Sequence, residues 1–79
     1  MWQETEQGLY KRFEFADFKQ AFSFMTQVAA LAESQQHHPR WMNEWNVVEL
    51  WLSTHDADDR ITDQDYQLAR AIDRLERDR

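Results

Sequence analysis

A chain of 79 residues with one Gly, one Pro and no Cys has room for one hydrophobic core, and it excludes disulfide scaffolds, thiolate catalysis and Cys-based metal sites. The formal charge of −6 and pI near 4.8 argue against direct binding of nucleic acid or anionic membrane, both of which attract clustered Lys and Arg. No apolar run approaches the roughly 20 residues that span a bilayer, and the polar, acidic residues 1–10 are unlike a signal peptide, so a cytoplasmic protein is expected. Four Trp and five Phe supply much apolar area per residue. Small domains bury a modest share of their surface, and oligomerisation is the expected remedy.

Trp2 to Leu9 reads as a loose or short extended segment with Gly8 as its turn residue. From Leu9 to Phe15 the alternation of Leu9, Lys11, Phe13 and Phe15 against Tyr10, Arg12 and Glu14 predicts a half-buried strand, with the Lys11 stem among its apolar side chains. Asp17, with Gln20 three residues on, predicts a helix start. The spacing of Phe18, Ala21, Phe22, Met25, Val28, Ala29 and Ala32 predicts a helix over 18–34 that buries this stripe, with Phe24 and Leu31 along one border. His38 precedes Pro39, which biases it away from the helical region, so the helix should end before His37.

Trp41 to Trp45 alternates as a short strand and Asn46 is a turn former. The next run therefore reverses direction, with Val48, Leu50, Leu52 and Thr54 facing the core. This puts His55 at the strand's end on the side away from the core, or just beyond it where the chain turns. Asp56 to Arg60 reads as an acidic loop, and Thr62 with Asp65 predicts a capping box opening a last helix whose buried stripe is Leu68, Ala69, Ile72 and Leu75. Arg74 to Arg79 should fray, with Arg favourable near the helix C-terminus. The expectation is one domain over residues 1–79 of the α+β class. It is a two-layer arrangement in which helices share one face of an antiparallel sheet.

All three histidines lie in the stretch E-x3-H-H-P-x5-W-x9-H-x9-D, carried by Glu33, His37, His38, Pro39, Trp45, His55 and Asp65. Imidazole, with an unperturbed pKa of about 6.5, takes or gives a proton near neutrality, so several in one pocket supply base and acid for an elimination. Neighbours in an extended segment point in opposite directions; one of His37 and His38, together with His55, is what the residues alone support. Zinc held by His37 or His38, His55 and Glu33 or Asp65 is the competing reading, although adjacent histidines chelate one ion poorly. The plain structural readings are a helix stop at His38–Pro39, a capping role for Asp65 and a solvated Glu33. Ser23, Ser34 and Ser53 stand in no nucleophile motif, and one glycine cannot build a phosphate-cradling loop.

This signature resembles that of the pterin-4a-carbinolamine dehydratases, the family that includes the dimerisation cofactor of a homeodomain transcription factor. Further similarity lies in Phe15, Asp17–Phe18, Ala21–Phe22, Phe24–Met25 and Val28–Ala29, and in Trp41, Asn43, Asn46, Val48 and the Leu52-Ser53-Thr54-His55 ending. The resemblance implies a β-β-α-β-β-α fold assembled as a homodimer through its sheet or as a homotetramer. It also implies dehydration of 4a-hydroxytetrahydropterin to quinonoid dihydropterin, the recycling step after an aromatic amino acid hydroxylase, without a cofactor or metal of its own. By position, His37, His38 and His55 would be catalytic, and Glu33, Pro39, Thr54, Asp56 and Asp65 would contact or border the pterin. The alternative within the resemblance is a non-catalytic dimeric binding module, a transcriptional coactivator or assembly factor. Two departures stand out: many members carry a further helix before the segment matching Trp2, and Asp58–Asp59 occupy a loop where a glycine is common.

Overall fold

The fold follows from two periods, alternation in the strands and three-to-four spacing in the helices. In the computed structural model, which describes residues 1–78, the elements are β1 (Gln3–Thr5), β2 (Gly8–Glu14), α1 (Phe18–Gln35), β3 (Arg40–Glu44), β4 (Val47–Leu52) and α2 (Asp63–Arg77). This is the expected β-β-α-β-β-α order. The four strands form an open antiparallel sheet in the order β1-β2-β4-β3. Leu9, Phe13 and Phe15 from the β2 side and Val48, Leu50 and Leu52 from β4 pack against both helices, so the helices share one face.

The opening segment takes the second of its two expected forms, a short strand, and β1 pairs with β2 around the turn that ends at Gly8. Gly8 has φ +122°, and a Cβ there would lie 2.3 Å from the Leu52 carbonyl oxygen. Only glycine lets β2 approach β4 this closely. Lys11 sits on the core face as expected, its ammonium 2.9 Å from Asp73 Oδ1 and over the rings of Trp2 and Phe13. Trp2 Nε1 donates to the same Asp73 oxygen at 2.9 Å, which pins the first residues to α2.

Asp17 caps α1 by accepting the Gln20 N–H at 2.9 Å. The buried face of this helix is rotated from the expected one: Phe24 lies in its centre with Ala21, Val28 and Ala32, while Phe18 and Phe22 are 48% and 54% exposed. Phe24 reaches the rings of Phe13 and Phe15 at 4.8 and 5.0 Å. The apolar stripe is wider than the face that β2 and β4 can cover, and aromatic packing selects Phe24's side of it. Helix α2 buries Leu68, Ala69 and Ile72 and stays helical through Arg77, beyond where fraying was expected; Arg79 lies outside the described residues. Among the described residues no helix is long and apolar enough to cross a membrane.

Candidate active site

Three chain ends converge at one end of the sheet: the C-terminus of α1, the turn after β4 and the N-terminus of α2. Helix α1 stops because Gln36 turns left-handed at φ 50°. The N–H groups of Gln36 and His37 then bond back to the carbonyls of Glu33 and Ala32 at 3.2 and 3.0 Å, satisfying carbonyls that the helix end would leave open. This reversal aims His37 inward, and Pro39 sends the chain on into β3. His55 falls just beyond β4, where a short 3₁₀ turn (His55–Ala57) begins, the second of the two placements expected for it.

His37 is 9% exposed and Asp65, opposite it, is 0%. His37 Nε2 lies 2.5 Å from Asp65 Oδ1. The other carboxylate oxygen accepts the Thr62 N–H at 2.7 Å and the Thr54 hydroxyl at 2.9 Å. The Thr54 hydroxyl, having donated there, can only accept from Thr62 Oγ1, 2.5 Å away. Asp65 thus closes the expected capping box of α2 and holds one nitrogen of His37 as a donor, leaving Nδ1 as its proton acceptor in the neutral ring. His38 stands outside this network, its Nε2 2.5 Å from Glu33 Oε2 at an exposed position. His55 is the freest of the three, with a side chain 95% exposed and Nδ1 3.4 Å from Asp59 Oδ1.

The three imidazoles share one cavity of about 240 Å³, whose lining also includes Gln36, Ser53, Thr54, Asp56 and Gln64. His37 and His38 both reach it, which the residues alone did not support, although the two rings meet different partners, Asp65 and Glu33. Thr54 and Asp56 line the cavity. Glu33, Pro39 and Asp65 do not: Glu33 meets His38, Pro39 sets the exit of the turn, and Asp65 lies beneath His37. Gln36 and Gln64 were not singled out by the sequence, and Ser53 was named only within the family-like strand ending and as a serine in no nucleophile motif. Their signals are weak, a cap position and two neighbours of signature residues. Among the described residues no three His, Cys, Asp or Glu side chains cluster as metal ligands.

Residues 1–75 match the pterin 4 alpha carbinolamine dehydratase family. The chain belongs to that family. Two relatives provisionally named as pterin-4-alpha-carbinolamine dehydratases illustrate the likeness. One, from Christiangramia forsetii, is 49% identical over 91% of this chain and 73% of its own length. The other, from Synechococcus sp. (strain WH7803), is 50% identical over 94% and 78%. Among solved structures, a transcriptional coactivator/pterin dehydratase from Brucella melitensis superposes with a TM-score of 0.86 at 37% identity, over 94% of this chain and 80% of that one. Membership in the carbinolamine dehydratase family gives the histidine cavity a substrate class to be judged against.

Proposed function

We propose that this chain dehydrates 4a-hydroxytetrahydropterin to quinonoid dihydropterin and water, recycling the pterin of aromatic amino acid hydroxylases, with His37, His38 and His55 as its acid and base groups. In this elimination a base removes the N5 proton, the released electron pair closes the C4a=N5 bond, the C4a–O bond breaks, and an acid protonates the leaving oxygen to water. Both proton transfers suit imidazole near neutral pH. The observation that carries the reading is the cavity itself: three imidazoles on one wall system, one of them backed by a fully buried carboxylate.

His37, with Nδ1 as its free acceptor, fits the base. His38 and His55, exposed at the rim, fit the acid and the solvent-side proton relay. Thr54 and Asp56 border the ligand directly, while Glu33, Pro39 and Asp65 act by positioning His38 and His37. The test follows the decay of chemically generated 4a-hydroxytetrahydropterin with a chelator present, comparing wild type with His37→Ala, His38→Ala and His55→Ala. General acid–base loss of about 10²- to 10⁴-fold is expected for a principal catalytic histidine. Unchanged rates in all three variants would refute the assignment.

The name of the Brucella structure, which couples coactivator to dehydratase, favours one second reading, a dimeric binding module. That role would be indifferent to the histidine substitutions.

A further inference from the structure

Strand β3 is an open edge of the sheet, and its Trp41 and Met42 are 36% and 42% exposed. Glu44 and Val47 flank a two-residue turn and pair with each other, so they exchange both backbone hydrogen bonds; alternation along the ladder then gives inward bonds to Met42 and Arg40 as well. Trp41 and Asn43 therefore turn their N–H and C=O groups outward. A free edge of this kind is a template for another strand.

The strand's own sequence, R-W-M-N-E, fits a second copy. Laid antiparallel with Met42 on the two-fold axis, Trp41 meets the partner's Asn43, so the outward backbone groups face each other. Arg40 then stands opposite the partner's Glu44 at both ends, a favourable cross-strand charge pair. Shifting by two residues, the smallest step that keeps outward groups facing, sets Arg40 opposite Met42 or Asn46 and loses both charge pairs. Beside this edge an apolar groove of about 210 Å³ runs along Phe22, Met25, Ala29 and Trp41, and the same pairing would cover its open side.

The register has a consequence for the active site. It sets Trp45 opposite the partner's Pro39, next to the partner's His38 at the cavity mouth. Within its own chain Trp45 stands at the far end of β3 from that cavity, about 17 Å along the strand. Trp45 is 62% exposed at φ 49°, an uncommon backbone conformation for a bulky residue. Yet its turn is firmly held: the Phe15 N–H donates to the Asn46 carbonyl, and Asn46 Nδ2 donates to the Phe15 carbonyl, both at 2.8 Å. A strained conformation fixed by its surroundings is a mark of a functional position. The cavity, for its part, has no Phe, Tyr or Trp in its lining among the described residues, although a flat aromatic ligand gains most from a ring to stack on.

We propose that Trp45 of a second copy completes the cavity. Pairing through the sheet is the assembly that the family resemblance implies, and within it each protomer lends its indole as a stacking wall beside the other's Pro39 and His38. The identity of the stacked ligand rests on the dehydratase reading; the placement of Trp45 does not.

The chain has no native cysteine, which makes the register directly testable. In Pro39→Cys/Trp45→Cys the two positions lie about 20 Å apart within one strand, beyond the roughly 7 Å Cα separation a disulfide can bridge, so oxidation can join them only between chains. A covalent dimer on a denaturing gel is expected, and Met42→Cys should link to itself on the two-fold. No covalent dimer from either folded variant overturns the proposal. The second arm is complementation. Trp45→Ala should raise KM roughly tenfold, and co-refolding it with His55→Ala should restore up to roughly a quarter of wild-type activity at low substrate, since half the dimers are mixed and half their sites intact. No recovery on mixing means Trp45 does not serve the partner's site. Crosslinking of these variants together with no pterin turnover by the wild-type chain would sink the dehydratase reading and leave the trans placement of Trp45 standing.

Discussion

Asp65 joins folding to chemistry through its two carboxylate oxygens, one capping α2 at Thr62 and the other fixing His37. Replacing it by Asn leaves one carbonyl oxygen for the Thr62 and Thr54 donors and turns an amide N–H₂, itself a donor, toward His37 Nε2. Asp65→Asn should destabilise the fold by about 1–3 kcal/mol, the penalty of a mispaired buried polar group, and should also slow dehydration by more than the lost stability explains, checked by chemical denaturation beside activity at a temperature where the variant is folded. His38→Ala makes the complementary case. Its side chain and that of Glu33 are exposed, so stability should stay within about 0.5 kcal/mol of wild type while activity falls. Gly8→Ala belongs at this scale too: positive φ and the Leu52 carbonyl at 2.3 Å should cost roughly 2–4 kcal/mol, read as a lowered denaturation midpoint.

At the scale of elements, the turn after β4 carries unrelieved backbone cost. Asp58 and Asp59 both take the left-handed conformation, at φ 59° and 61°, which glycine adopts without penalty. Asp58→Gly should therefore stabilise the fold by about 0.5–1 kcal/mol, seen as a Tm higher by a few degrees. The β2–β4 pairing has a pH signature. The Tyr10 phenol donates to Glu49 at 2.6 Å across the two strands, and this hydrogen bond, with burial and the carboxylate's charge behind it, raises the Tyr10 pKa above its ordinary value of about 10. Because the folded value is the higher one, the contribution is complete below pH 10 and is lost as pH rises through the folded pKa. Unfolding titrations should show Tyr10→Phe less stable than wild type at neutral pH, with the gap closing at strongly alkaline pH.

For the whole molecule, what was legible in the sequence is what depends on local spacing. Strand alternation, the Asp17 and Thr62 caps and the helix stop before Pro39 are all settled within a few residues, and each is present in the fold. The family signature collected the histidines for a related reason, since its residues lie within one stretch of the chain. What stayed hidden depends on packing between distant segments. Which flank of α1 is buried is decided by the rings of Phe13 and Phe15 closing on Phe24, not by the helix's own periodicity. The contact of His37 with Asp65 spans 28 residues and exists only once α2 docks at the end of β4. The central claim, that this assembly is a dehydratase site, is tested most directly by the decay rate of 4a-hydroxytetrahydropterin against concentration of the wild-type chain at fixed pH. The account predicts acceleration proportional to protein and saturable in substrate. A decay rate equal to that of buffer alone, from protein whose circular dichroism shows it folded, would contradict it.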